Sequence, residues 1–353
     1  VVIRVDGRLE GLEPKALATA ARAQEQAGYD GTWTSETSHD PFLPLVVAAE
    51  HTTKLRVGCA IAVMFARNPM SMAYVAHDMQ ALSCGRFVLG LGTQVKPHIQ
   101  RRFSMEWGRP VDRAREFIAA VRTILESWQD GIPLDFDGEF YSHTLMTPFF
   151  APENHGYGIP KILLAVVGTR MAEMAGEVAD GIFTHSFTTP RYLREALIPS
   201  VMRGVNKGGR SLSDVELNCR AFVATGETDA AIDSAVGAVR AQLAFYASTP
   251  AYRPVLELHG WAELGEELHH LSASSREDKW QAMAGLIDDE VLSEFAVVGP
   301  PEAIAGEVIE RFGGVVDRFR FYTPYEIDAT VLSNIAHDIQ TLQSGRSHEG
   351  QSV

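Results

Sequence analysis

Strand-like and helix-like runs alternate eight times along this chain, and that alternation restricts it to very few folds. The runs "VVIRV" (1–5), "GTWTSE" (31–36), "KLRVGCAIAVM" (54–64), "RFVLGLG" (86–92), "PKILLAVVG" (160–168), "GIFTHSF" (181–187), "VELNCRAFVATG" (215–226) and "RFRFY" (318–322) are short and apolar. Helical patterns lie between and after them, at 13–28, 41–52, 69–83, 110–129, 169–178, 190–204, 228–246, 301–312 and 328–343. The clearest is 110–129, where Phe117, Ile118, Val121, Ile124, Leu125 and Trp128 recur at helical spacing. Such alternation predicts an α/β protein with a parallel sheet, and eight units predict closure into a (β/α)8 TIM barrel.

The 353 residues exceed the roughly 250 of a typical barrel, and two segments outside the repeat account for most of the excess. Residues 131–159, with "FDGEFYSH" and "APENHGYG", read as a loop carrying a hairpin after strand four. Residues 247–297 read as a long insertion after strand seven. Connections after barrel strands lie at the catalytic mouth, so both are expected to roof the active site. The second holds Tyr246 at its start and then Tyr252, His259 and Trp261, which predict an apolar lid with polar tips. Residues 1–343 are expected to form a single domain, and the tail 344–353, "SGRSHEGQSV", to be disordered.

The net charge of −14 argues against a general nucleic-acid surface, which needs basic stripes. An anionic ligand would need a local positive pocket against that global field. Cys59, Cys84 and Cys219 form no CxxC pair, so neither a disulfide framework nor a zinc knuckle is expected. Cys59 sits in an apolar strand and reads as a buried, inert thiol. No run approaches the ~20 apolar residues of a membrane span. The opening "VVIRVDG" reads as a strand and not as a signal peptide. A cytoplasmic protein acting on a small molecule is the expectation, with no membrane and no nucleic acid as partners.

Ligands of this fold lie at the C-terminal strand ends. Those ends carry Ser35-Glu36-Thr37 with His39-Asp40, Ala60-Ile61, Gly92-Thr93-Gln94, Val167-Gly168-Thr169, His185 and Tyr322. No Ser/His/Asp set, HExxH, Walker lysine loop or metal-spaced cluster is among them, so no metal is expected. A site of apolar residues, backbone and few polar groups points to a cofactor that supplies the chemistry. In "VVGTRMAEMAGEVADG" a strand ends at Val167, Gly168 permits close approach and Thr169 opens a helix, which makes a candidate phosphate seat. The same residues also read as an ordinary strand–helix turn. Gly90 and Gly92 bracket the end of strand four, and Gln94, His98, Arg101 and Arg102 follow either as ligand contacts or as a solvated loop. His39 reads as a loop hydrogen-bonder. Glu36 is the stronger candidate, because a carboxylate at an inner strand end is costly to bury without a partner.

Four stretches, "GYDGTWTSE", "KLRVGCAIAV…RNPMSMAYVAHDMQALSCGRFVLGLGTQVKPHIQRRF", "VVGTRMAEMAGEVADG" and "FAVVGPPEAIAGEVIERFG", together resemble the bacterial luciferase-like superfamily. Within it they are similar to oxidoreductases that use the deazaflavin coenzyme F420. The resemblance covers nearly the whole chain, in order. It implies an acidic residue near the deazaflavin ring at Glu36 and a non-prolyl cis peptide behind the ring at Ala60–Ile61, with Gly92 beside them. It further implies that Gln94 and His98 line the ribityl chain, that Val167, Gly168 and Thr169 hold the phosphate, and that His185 lies beside cofactor or substrate. A homodimer is implied as well.

The chain departs from the sugar-phosphate dehydrogenases of that family. Their catalytic histidine after the strand-two acid is Thr37 here, and their strand-four acid and Asn are Val95 and His98. The expected activity is F420-dependent hydride transfer to or from a small organic substrate, with Glu36 or His185 relaying the proton. The alternatives are an FMN-dependent monooxygenase and a non-catalytic flavin or deazaflavin carrier. Lys96, Arg101, Arg102 and Arg170 are expected to meet the deazaflavin's anionic tail, which FMN lacks.

Overall fold

The computed structural model describes residues 2–349 apart from 10 and 12. Eight parallel strands form its centre: β1 (Arg4–Arg8), β2 (Gly31–Thr34), β3 (Arg56–Cys59), β4 (Phe87–Gly92), β5 (Lys161–Val166), β6 (Gly181–Thr184), β7 (Glu216–Ala224) and β8 (Arg318–Tyr322). Each pairs with the next, and β8 returns to β1, so the sheet closes as the alternation predicts.

Successive side chains point to opposite faces of this wall. Outward residues such as Val57, Leu89, Ile162 and Phe319 are fully buried beneath the helices. Inward, Trp33, Val88, Leu163 and Phe183 form a separate apolar plug, with Trp33 edge-on to Phe183 at 5.1 Å. Burial on both faces is why these strands read as unbroken apolar runs. The interior towards β7, β8 and β1 is charged instead. Arg318 Nε donates to Asp6 Oδ2 at 2.7 Å, its Nη2 donates to Oδ1, and Trp33 Nε1 also reaches Oδ2 at 2.8 Å.

The outer helices are α1 (Leu17–Gln26), α2 (Leu43–His51), α3 (Pro69–Leu82), α4 (Pro110–Asp130), α5 (Thr169–Val178) and α6 (Ile198–Lys207). "RNP" opens α3 because the Asn68 side chain accepts the Ser71 N–H at 2.9 Å and Pro69 needs no hydrogen-bond acceptor. Among the described residues no helix is long and apolar enough to cross a membrane.

Both insertions differ from expectation. Residues 131–159 do carry a hairpin, Phe136–Asp137 against Ser142–His143. They follow α4, however, and so precede β5. The hairpin docks on α4, where Glu116 accepts the N–H groups of Glu139, Phe140 and Tyr141 at 3.0, 2.6 and 2.6 Å. The rest docks on α3 through Tyr74 to Phe150 O and Gln80 to Tyr157 O. This segment sheathes two helices and does not roof the mouth.

The other insertion begins earlier than 247. Helix α7 (Asp229–Ala247) is already part of it, followed by α8 (Arg253–Leu258), α9 (Ala262–Ala273), α10 (Lys279–Gly285) and α11 (Asp289–Phe295). The chain then returns as a short strand, Ala296–Val298, parallel to the end of β7 with Phe222 opposite Ala296. Only then comes α12 (Pro301–Phe312), which leads the chain back to β8. The last helix, α13 (Ala329–Glu349), runs past 343, so 344–349 is helical and not a disordered tail. Gln343 within it bonds both the N–H and the carbonyl of Ile3, at 2.6 and 3.1 Å. The expectation for 350–353 falls outside the described residues.

Candidate active site

The mouth is built first at β3. The Ala60–Ile61 peptide is cis, and it turns the chain back against β4. Ala60 N donates to Thr34 O at 2.6 Å, and Ile61 O accepts the Glu36 N–H at 3.0 Å. Glu36 Oε2 accepts the Val63 N–H at 2.7 Å and is ion-paired with Arg67 Nη1. Arg67 also reaches Asp40 at 3.3 Å. Glu36 is therefore a buried carboxylate with its partners in place, and they fix the turn after β3. The glycines of β4 make room for that turn. A Cβ at Gly90 would stand 1.8 Å from Cys59 O, and one at Gly92 would stand 2.7 Å from Ile61 Cγ1. "GLG" thus serves backbone packing at the mouth and not a phosphate. Cys59 is fully buried and burial pushes its thiol up to about 12, as its apolar strand predicts. Ala60, Ile61 and Ala165 are half-buried on top of the interior plug and form an apolar platform.

The second part is the start of α5. Its N-cap, Gly168, has no side chain to satisfy the first-turn N–H groups, a feature shared with α1, α2, α4 and several other helices. A Cβ at Gly168 would meet nothing within 4 Å. An open helix start with free amides is a seat for an oxyanion.

The third part is an aromatic cluster between β6, β8 and the insertion. His185 Nδ1 accepts the Phe187 N–H at 3.0 Å, so its proton sits on Nε2, 3.1 Å from Tyr252 Oη. The two rings stack at 4.5 Å. Tyr246 Oη is 2.9 Å from Tyr322 Oη, and the Arg220 guanidinium lies 3.9 Å over the Tyr322 ring. Burial, with Arg220 nearby, pushes His185 down to about 3, and burial pushes Tyr252 up to about 12. Both are neutral near pH 7. A cleft of about 1040 Å³ opens at the other end of the barrel among Arg4, Asp30, Lys161 and Asp317, away from these groups.

A family profile described as luciferase-like monooxygenase matches residues 2–318. The chain belongs to this family. An uncharacterized protein of Mycobacterium tuberculosis is 54% identical over 314 residues, covering 88% of this chain and 92% of that one. An F420-dependent glucose-6-phosphate dehydrogenase of Mycolicibacterium gilvum is 30% identical over 219 residues, 59% of this chain and 64% of that one. Among solved structures, the coenzyme F420 dependent tetrahydromethanopterin reductase from Methanopyrus kandleri superposes with a TM-score of 0.78 at 17% identity, covering 97% and 99%.

The luciferase-like mouth gathers some of the residues expected at it and leaves others aside. Glu36, Ala60, Ile61 and Gly92 meet at the turn after β3. Val167 follows β5 with its carbonyl held by Tyr192 Oη at 3.3 Å, and Gly168 caps α5, which begins at Thr169. Gln94 adopts a left-handed backbone (φ 58°), and its side chain accepts the neighbouring Val95 N–H at 3.0 Å. His98 is exposed at the start of a π-helical turn, His98–Arg102. Arg102 is tied to Thr37 O and lies over the Phe103 ring, while Lys96, Arg101 and Arg170 are exposed. Trp261 stacks on His259 at 4.7 Å and both lie near Phe295, whereas the lid rings against His185 are those of Tyr246 and Tyr252. Sequence reasoning missed Arg67 and Arg220. Arg67 was visible in "RNP", and Arg220 lies two residues after Asn218, on the same inward face of β7.

The low His185 value has a consequence for acid stability. Between about pH 6.5 and pH 3 the unfolded chain protonates this ring and the folded chain does not. Stability therefore falls as pH drops through that window, by up to about 1.4 kcal/mol per pH unit from this group. A His185→Gln variant is expected to show a shallower slope of unfolding free energy between pH 6 and pH 4. Equal slopes in the two proteins would remove the assignment.

Proposed function

We propose that the protein is an F420-dependent oxidoreductase acting on a small organic substrate at this mouth. The observation that carries the reading is the uncapped start of α5 beside an apolar platform, a phosphate seat next to a surface for a planar ring. The F420-dependent relatives support the choice of deazaflavin. When bound, the deazaflavin supplies or accepts a hydride. Gly168 and Thr169 would hold its phosphate, and Ala60, Ile61 and Ala165 would support its ring. Glu36 acts as a positioning residue, since its paired carboxylate holds the turn that bears Ala60 and Ile61.

The proton is assigned to Tyr252. His185 Nε2–H donates to Tyr252 Oη, which leaves the tyrosine's own hydrogen free for a substrate oxygen. If that oxygen takes the proton, the phenolate left behind is stabilised by the same Nε2–H. Holding substrate and hydride carrier together beneath α7 and α8 supplies the remaining assistance, by orientation and exclusion of water.

The test is a parallel titration of the protein with F420 and with FMN at rising ionic strength. F420 is expected to bind more tightly, and a double Arg101→Ala, Arg170→Ala variant to weaken it about tenfold, or ~1.4 kcal/mol. Tighter FMN binding with oxygen consumption would establish the monooxygenase instead. Binding of either cofactor without turnover of any substrate would establish a carrier.

A further inference from the structure

The loop that follows β6 meets the lid at every second residue. His185 stacks on Tyr252, Phe187 stacks on Phe295 at 4.4 Å, and Thr189 Oγ1 lies 2.8 Å from His259 Nε2. The last contact lies at a junction. Thr189 caps the short helix Pro190–Tyr192, its Oγ1 accepting the Tyr192 N–H at 3.0 Å. Tyr192 Oη in turn donates to Val167 O at 3.3 Å. Thr189 and Tyr192 are almost completely buried, as is the His259 side chain. The Glu294 carboxylate, 3.9 Å from His259 Nδ1, favours a proton on that nitrogen. Nε2 then accepts the Thr189 hydroxyl, whose oxygen is left to accept from Tyr192. Hydrogen bonds and one rigid tyrosine side chain thus join the lid to the residue before Gly168. A peptide unit is planar, so the carbonyl of Val167 and the N–H of Gly168 turn together. Tyr192, by holding that carbonyl, sets the direction of that N–H at the entrance to α5.

We propose that Thr189 and Tyr192 are positioning residues that join docking of the lid to the geometry of the cofactor's phosphate seat. The inference rests on the reading that the phosphate lies at Gly168 and Thr169. Thr189 carries the contact with His259 to Tyr192, and Tyr192 acts through the Val167 carbonyl. The effect is reciprocal, as any coupling between two equilibria must be. A docked lid favours the peptide plane that meets an oxyanion, and an oxyanion at that seat favours the docked lid. Closure over the substrate is thereby favoured when the hydride carrier is present.

The experiment measures the Kd for F420 in the parent, Tyr192→Phe, His259→Leu and the double variant. Hydrogen exchange of the α8 amides is followed in each, with and without saturating F420. Either single variant is expected to raise the Kd about fivefold, the lower end of coupling between sites. The double variant is expected to add nothing, because either change breaks the same link. F420 should slow exchange in α8 of the parent and leave it unchanged in Tyr192→Phe. Thr189→Ser keeps the hydroxyl and should behave as the parent, whereas Thr189→Val should behave as His259→Leu. A Tyr192 that only stabilises the fold would lower the melting temperature of Tyr192→Phe and leave the slowing by F420 intact, which overturns the proposal. Losses of affinity that multiply in the double variant overturn it too. F420 binding that neither variant alters also overturns it, and there the cofactor reading stands. If FMN binds the parent and F420 does not, the cofactor reading falls, and the same measurements with FMN, whose phosphate would take the same seat, decide the link. If neither cofactor binds, both fall.

Discussion

Arg318→Met is expected to destabilise the protein by about 3–5 kcal/mol, a large part of the total stability of a folded domain. Asp6 and Arg318 are both almost completely buried within the barrel. Removing the guanidinium leaves the Asp6 carboxylate in a low-dielectric interior with the Trp33 N–H as its one remaining partner among the bonds described. The cost arises from the orphaned charge and not from the lost pair itself. Asp6→Asn combined with Arg318→Met is therefore expected to recover most of the loss, since an amide oxygen still accepts from Trp33 and no net charge remains buried. Denaturant midpoints of the two variants check this. A single variant within 1 kcal/mol of the parent, or a double variant no better than the single, would show that the interior is wetter than its packing implies.

Gly90→Ala is expected to cost about 3 kcal/mol and to abolish cofactor binding. Overpacking a core usually costs about 1–3 kcal/mol, at the upper end where backbone must move. Here the added Cβ meets the Cys59 carbonyl at 1.8 Å and the Phe183 ring at 2.6 Å, so β3 and β4 must part. Gly92→Ala is the contrast. Its Cβ meets the Ile61 side chain at 2.7 Å, and Ile61 is half-buried and free to rotate towards the mouth. That variant is expected to keep near-parent stability and lose ligand affinity. Thermal melts with and without cofactor separate the two outcomes. Identical behaviour of the two variants would fault the account of "GLG".

The strands were legible because burial on both faces writes each as an apolar run, and α5 was placed at 169–178 because Gly168 marks its start. The long insertion was not fully legible. Helix α7 has the same apolar periodicity as a barrel helix, and only the pairing of Ala296–Val298 with β7 reveals that it belongs to the lid. Three residues are too short a run to announce a strand. The 131–159 segment was misplaced for a simpler reason. Its position was counted from strand four, although the intervening α4 had already carried the chain away from the mouth. Within the site, family resemblance located the turn after β3 and the start of α5, but pairings across the barrel leave no local pattern. Glu36 with Arg67 and His185 with Tyr252 join residues 31 and 67 positions apart. The arginines in "CRAF" and "RFRFY" were visible yet passed over, because a cation in a strand is ordinarily taken to face solvent.

The lid departs from the barrel at the end of β7 and rejoins it against the end of the same strand, where Gly299 N–H bonds Ala224 O at 3.1 Å. Everything between Thr225 and Gly299 is thus a cassette with both attachment points on one edge. Both ends of such a unit are fixed at one strand, so its interior could be remodelled without disturbing how the eight strands close, or the platform on β3 and β5. The tyrosines at positions 246 and 252 travel with the cassette, while the arginines at 8, 220 and 320 stay with the barrel. Change within the cassette would then reshape the space over His185 and leave the barrel wall as it is.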